Sequence, residues 1–132
     1  MQLALTVALS LHVLATIFWA GTTFAVARMA GRGSAALFWP QMTAFLVALV
    51  SGAYLGHVLH EASFGQAEIL LATGAASAVL AVGVQAIGVG PAIRHLRPDG
   101  AGPYARVAIA HRIAAGLLAF AAIAMAASKY GF

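Results

Sequence analysis

Three residues that can do chemistry, His12, Trp19 and Arg28, lie in a run of the chain that is otherwise largely apolar. On an α-helix of about 3.6 residues per turn, His12 and Trp19 share one face, and Arg28 follows where the apolar run ends. A neutral imidazole in hydrocarbon needs a partner, because an unpaired polar group there costs several kcal/mol. The partner of His12 must come from elsewhere in the chain, from another subunit or from a bound metal.

The composition indicates which solvent surrounds these residues. The 132-residue chain is 63% hydrophobic and 8% charged, whereas a soluble domain carries about 25% charged residues. The sequence therefore predicts an all-α integral membrane protein whose principal partner is the lipid bilayer. Its formal charge of +4 does not indicate nucleic acid, because the basic residues lie at the ends of apolar runs. The absence of cysteine excludes disulfides, thiolate metal sites and covalently attached haem.

Four apolar segments are long enough to cross a bilayer, which takes about 20 residues. Short loops between them favour an up-down-up-down bundle, and the whole chain is predicted to form a single transmembrane domain. Pro40 is expected in the first turn of the second span, after an interfacial stretch that ends at Trp39. Gly88 and Pro91 are expected to kink or end the third span. The predicted spans cover about 3–27, 40–60, 69–93 and 104–127 of a domain that covers 1–132.

The arginines predict how the chain is oriented. Five of them lie in or beside the first and third loops, whereas the second loop holds only Glu61 and Glu68. The positive-inside rule then puts the first and third loops in the cytoplasm and both termini outside, in a bacterial-type inner (cell) membrane. Lys129 near the outer C-terminus is the exception. No cleaved leader is expected, because the N-terminus lacks a basic stretch. The five arginines are Arg28, Arg32, Arg94, Arg97 and Arg106.

The depths of the histidines suggest which of them can meet. His12 and His57 differ in depth by roughly 6 Å, whereas His12 differs from His60 and from His111 by roughly 10–11 Å. The sequence therefore predicts an outer metal site formed by His12 with His57 or, less easily, with His60. His111 is the candidate ligand of a second, inner site whose other ligand is not identified.

Haem suits a site of this kind. Two imidazoles on facing helices hold a b-type iron while apolar walls bury the macrocycle, so one haem b, or two, is the predicted cofactor. Trp19 is expected to stack on the ring or pack against it, and Arg28 or Arg112 to pair with the propionates of an inner haem. Such a protein would transfer electrons, with a quinone or another redox partner, or carry out a haem-linked oxidation. Whether it is an enzyme stays open, and a homodimer could complete the site between subunits.

The same residues also have plainer interpretations. A histidine in a membrane helix can simply donate to a backbone carbonyl, and one near the interface can be solvated. His57 and His60 fit the second description, and His95 falls in a loop. Trp19 is more often a packing residue than a functional one, and Arg28 can serve topology alone.

The first span also resembles a known pattern. His12, Trp19, Phe24 and Arg28 look like the first helix of the HemJ-type protoporphyrinogen oxidases and of the wider CopD-like group of small four-helix membrane proteins. The resemblance covers about 20 residues of that span and extends loosely to the last one. It implies a buried b-type haem with His12 as its ligand, or a copper-related role. HemJ-type enzymes carry a lysine in the third helix, which this chain lacks, so haem binding is implied more strongly than protoporphyrinogen oxidation.

Two alternatives to a haem protein remain. The first is a non-catalytic accessory subunit whose Ala- and Gly-rich faces pack against a larger membrane complex. The second is copper handling, for which Cu(I) prefers thiolate and thioether ligands. The chain has no cysteine, and its methionines form no closely spaced pair on a helix face, which argues mildly against copper. The methionines are Met1, Met29, Met42 and Met125.

Overall fold

The structure is a computed structural model that describes residues 1–60 and 64–130. Four long helices make up most of this part of the chain. Each is long and apolar enough to cross a membrane, and no strand occurs among the described residues. The predicted all-helical architecture is thus confirmed. The helices are α1 (Gln2–Arg28), α2 (Ser34–Leu59), α3 (Gln66–Gly88) and α4 (Tyr104–Ser128), with a short 3-10 helix at Ile93–His95 before α4.

Most helix ends lie at or near the glycine and proline residues that interrupt the apolar runs. α3 ends at Gly88, immediately before the Val-Gly-Pro segment that was expected to kink or end it. α2 differs from the prediction, because it begins at Ser34 and includes the stretch that was expected to lie at the interface. Pro40 therefore lies inside α2 and not in its first turn. Because proline has no N–H, the carbonyl of Ala36, four residues earlier, lacks its usual backbone partner within the helix.

Two loops meet at one end of the molecule. α1 packs against α2 and α4, and α3 packs against α4. Gly31, in the turn between α1 and α2, has a φ of +87° and approaches α4 so closely that a Cβ would lie 3.0 Å from the Tyr104 carbonyl oxygen. Only glycine fits such a position without strain. Gly100 of the segment before α4 lies near the Arg32 guanidinium, so the arginine-bearing segments share this end.

Small residues fill the interior and large apolar side chains cover the outside. Buried positions of α4 are mostly alanine, whereas Ile109, Ile113, Phe120 and Ile123 of the same helix are exposed. Helices that associate in lipid approach closely through small residues, since lipid tails solvate large apolar side chains as well as a protein core does. The arrangement is therefore that of a bundle suited to a membrane.

Candidate functional site

A network of polar side chains crosses the centre of the bundle and has members on all four helices. Trp19 and Thr23 enter it from α1, Gln41 from α2, Gln85 from α3 and His111 from α4, and all five are buried. Polar side chains inside a membrane bundle are expensive unless they are paired. Their pairing with one another makes this network the best-defined polar feature of the interior.

Gln85 is the centre of the network. Nε1 of Trp19 donates to its Oε1 (2.7 Å), and its Nε2 donates to Oγ1 of Thr23 (3.0 Å) and to Oε1 of Gln41 (3.4 Å). Gln41 in turn donates from Nε2 to Oγ1 of Thr22 (3.1 Å). Because an indole N–H is only a donor, Trp19 fixes which side of the Gln85 amide accepts.

His111 is the member of the network on α4. Its Nδ1 lies 3.0 Å from the Val107 carbonyl oxygen, and its Nε2 lies 3.4 Å from Oε1 of Gln41. Both oxygens only accept and a neutral imidazole carries one N–H, so only one of the two contacts is a hydrogen bond. The shorter one assigns the proton to Nδ1, and Nε2 is then in contact with Gln41 without a hydrogen bond to it. The His111 side chain is fully buried, and its one N–H is donated to the backbone of α4.

Gln41 and Gln85 were not among the residues singled out from the sequence. The signal that could have found them is the one that drew attention to His12, a hydrogen-bonding group within an apolar run. Each of the two amides interrupts such a run, and an amide carries both donors and acceptors to satisfy. Which helix supplies the partner depends on how the helices are rotated, which a single sequence does not reveal.

His12 lies apart from this network, on the seam between α1 and α2. Its Nδ1 lies 2.9 Å from the Ala48 carbonyl oxygen and 3.3 Å from Oγ of Ser51. Since a carbonyl only accepts, Nδ1 carries the proton and Nε2 has a free lone pair. The ring packs over Gly52, where a Cβ would come within 2.8 Å of its Cε1. The partner sought for His12 within the chain is therefore the backbone of α2.

This geometry can also serve a metal ligand. A histidine that ligates a metal almost always donates its other ring N–H to a carbonyl or carboxylate, which orients the ring and fixes its tautomer. His12 has this second bond in place, and its side chain is half-buried. A ring held in this way presents Nε2 as its free nitrogen.

The other candidate histidines lie elsewhere. His57 is exposed on α2, and at about 100° per residue it projects about 180° away from Ala48 and the α1-facing side. His60 is exposed just after the end of α2, and His95 is exposed in the 3-10 helix. The structure thus places His57 and His60 away from the His12 contacts on α2.

The remaining candidates divide between the core and the surface. Trp19 is 2% exposed, donates to Gln85 and packs edge-on against Phe45 with ring centroids 5.2 Å apart. Arg28 and Arg112 are exposed and line one groove between α1 and α4. Within the described residues no group of three or more His, Cys, Asp or Glu side chains could hold a metal ion.

Comparisons with known proteins add no relative. No protein-family model, curated protein or solved structure matches the chain. The likeness of the first helix to HemJ-type and CopD-like proteins is therefore still a prediction.

Proposed function

We propose that this chain is a multi-pass membrane protein that binds b-type haem, and that His12 would hold the iron through Nε2. The observation that carries the proposal is the 2.9 Å hydrogen bond from Nδ1 of His12 to the Ala48 carbonyl. It leaves Nε2 as the free, metal-binding nitrogen of a half-buried ring. The pattern of His12, Trp19 and Arg28, which resembles the first helix of HemJ-type proteins, supports the same ligand.

The bundle is proposed to cross a bacterial inner membrane in an up-down-up-down manner, with both termini outside. Four apolar helices of sufficient length support insertion, and their large outward-facing side chains suit lipid. The arginines of the first and third loops support a cytoplasmic location for the end where these loops meet.

Within one chain, we assign only the imidazole of His12 to the iron. His57 faces away from the seam that His12 occupies, so a second imidazole would come from His57 or His60 of another copy. Haem supplies one-electron redox chemistry when it is bound, so the proposed role is electron exchange with a quinone or another redox partner.

The test separates ligation from folding by a choice of substitutions. Asn places an amide nitrogen close to the position of histidine Nδ1, so His12→Asn keeps a donor for the Ala48 carbonyl and removes the ligating nitrogen. The protein is purified in detergent from cells with an ample haem supply, and spectra are recorded before and after reduction. We expect a b-type spectrum for the wild type and none for a folded His12→Asn variant.

The controls are His57→Asn and His111→Asn. We expect His111→Asn to retain haem, because both nitrogens of the buried His111 ring contact protein oxygens. Loss of a sharp reduced α-band in His57→Asn, with haem retained, would identify a second imidazole. A colourless wild type, or full absorbance in His12→Asn, would contradict the proposal.

An accessory subunit is the second candidate, and one observation favours it. One glycine on each of the four helices has no neighbouring atom within 4 Å of where a Cβ would lie, so each leaves room for an outside helix. A colourless wild type that co-purifies with a larger membrane complex would favour this candidate. The glycines are Gly21, Gly56, Gly83 and Gly116.

A further inference from the structure

A groove between α1 and α4 brings two arginines together on the outer surface of the bundle. Arg28 and Phe24 line it from α1, and Arg112 and Gly116 line it from α4. Both arginines are exposed, and neither has an ion-pair or hydrogen-bond partner among the residues that the structure describes. The sequence contains only three acidic residues, so guanidinium groups outnumber the carboxylates that could neutralise them.

The position of Arg112 is unusual for an unpaired charge. It lies about 12 Å along α4 from Tyr104, on a helix that is otherwise free of charge beyond this point until its end. An unpaired arginine facing lipid within a span costs free energy, which decreases when the side chain extends toward the headgroups and meets a negative charge there. Arg28, at the end of α1, lies on the same groove and adds a second guanidinium.

The walls of the groove are suited to a lipid rather than to a small ion. Ala27 and Ala115 are small, and Gly116 has no atom within 4 Å of where a Cβ would lie, so space is open beside Arg112. Phe24 offers an exposed apolar ring one turn before Arg28. An acyl chain can therefore lie along this face while a phosphate sits between the guanidinium groups, which hold phosphates with paired N–H donors.

We infer that the groove between α1 and α4 binds the headgroup of an anionic phospholipid, with Arg28 and Arg112 on the phosphate and the acyl chain over Gly116. Two positive charges without a carboxylate match a lipid of net negative charge better than a zwitterionic one. The inference depends on the proposed membrane insertion and is independent of haem binding at His12.

Native mass spectrometry of the detergent-solubilised protein, titrated with phosphatidylglycerol or phosphatidylcholine, tests this site. We expect tighter binding of phosphatidylglycerol and a loss of about five-fold in its affinity for Arg28→Gln and for Arg112→Gln. Arg97→Gln is the matched control, because it removes a charge from the same end outside the groove. Phosphatidylcholine has the same phosphate with a cationic choline beside it, so its affinity should fall less than that of phosphatidylglycerol in the two groove variants.

A second variant tests the shape of the site without altering its charge. Gly116→Leu fills the open space. We expect this variant to bind phosphatidylglycerol more weakly than the wild type and to have the same stability against unfolding. Equal binding of the two lipids, an equal loss in Arg97→Gln, or full binding by Gly116→Leu would overturn the inference. Displacement of the lipid by soluble glycerol phosphate at equal concentration would likewise overturn it, because a free phosphate would then be the ligand.

Discussion

The indole N–H of Trp19 on α1 donates to the Oε1 atom of Gln85 on α3 at 2.7 Å, in a fully buried contact between two helices that pack mainly against others. This bond sets the direction of every later bond in the network. With its oxygen held by Trp19, the Gln85 amide must present its nitrogen to Thr23 and Gln41. A single donor on α1 therefore orients the amides of Gln85 on α3 and Gln41 on α2.

Trp19 and Gln85 are predicted to be energetically coupled. Trp19→Phe leaves Oε1 of Gln85 without its donor, and Gln85→Leu leaves the indole N–H unpaired, so each single change should lower the free energy of unfolding by about 1–3 kcal/mol. The double variant removes both groups and should be less destabilised than the sum. We expect a coupling energy of about 0.5–2 kcal/mol, measured by unfolding in mixed detergent micelles.

Trp39→Phe serves as the control, because Trp39 is 69% exposed on the outside of α2. That change should leave the free energy of unfolding within about 0.5 kcal/mol of the wild type. Strictly additive effects of Trp19→Phe and Gln85→Leu would mean that the bond does not hold the two helices together.

A second prediction uses two glycines of α2 that are four residues apart. A Cβ at Gly52 would lie 2.8 Å from Cε1 of His12, whereas a Cβ at Gly56 meets nothing within 4 Å. Gly52→Ala should push the imidazole away from the Ala48 carbonyl and destabilise the protein by about 1–3 kcal/mol. Gly56→Ala should stabilise it by about 0.5–1 kcal/mol, because alanine favours the helix.

Thermal unfolding of both variants measures these effects, and the absorbance ratio of haem to protein reports on the proposed ligand in parallel. We expect Gly52→Ala to lose haem and Gly56→Ala to retain it. Equal effects of the two substitutions on stability would contradict the close packing of His12 over Gly52.

The positions of the helices were largely predictable from the sequence, since run length and helix-breaking residues act locally. α4 was predicted from residue 104 to 127 and spans Tyr104–Ser128. The start of α2 was predicted too late, because Pro40 was given the role of a helix start. The turn that actually precedes α2 depends on Gly31 and Gly33, whose φ values of +87° and +81° only the fold reveals.

The candidate site was predictable only in part, and for a physical reason. The sequence indicated that His12 needed a partner, but every residue of a facing helix carries the same backbone carbonyl, so no side-chain pattern marks Ala48. Side chains at matching depth suggested His57 instead, although depth does not determine the side of the helix from which a residue projects. Gln41 and Gln85 were missed because their roles arise from helix rotation.

The third prediction concerns the side of the membrane on which each end of the bundle lies. The natural chain has no cysteine, so a single introduced cysteine is the sole reactive thiol. Ala101 is exposed in the segment before α4, near the arginine-rich end, and Lys129 is exposed just after α4. If arginines set the orientation, Ala101→Cys faces the cytoplasm and Lys129→Cys faces outward.

Labelling of intact spheroplasts with a membrane-impermeant maleimide distinguishes the two ends. We expect Lys129→Cys to react at once and Ala101→Cys to react only after the membrane is permeabilised. The cysteine-free wild type gives the background. The opposite pattern would invert the topology and place the groove between Arg28 and Arg112 in the outer leaflet, so the same labelling also determines which leaflet supplies the lipid for that groove.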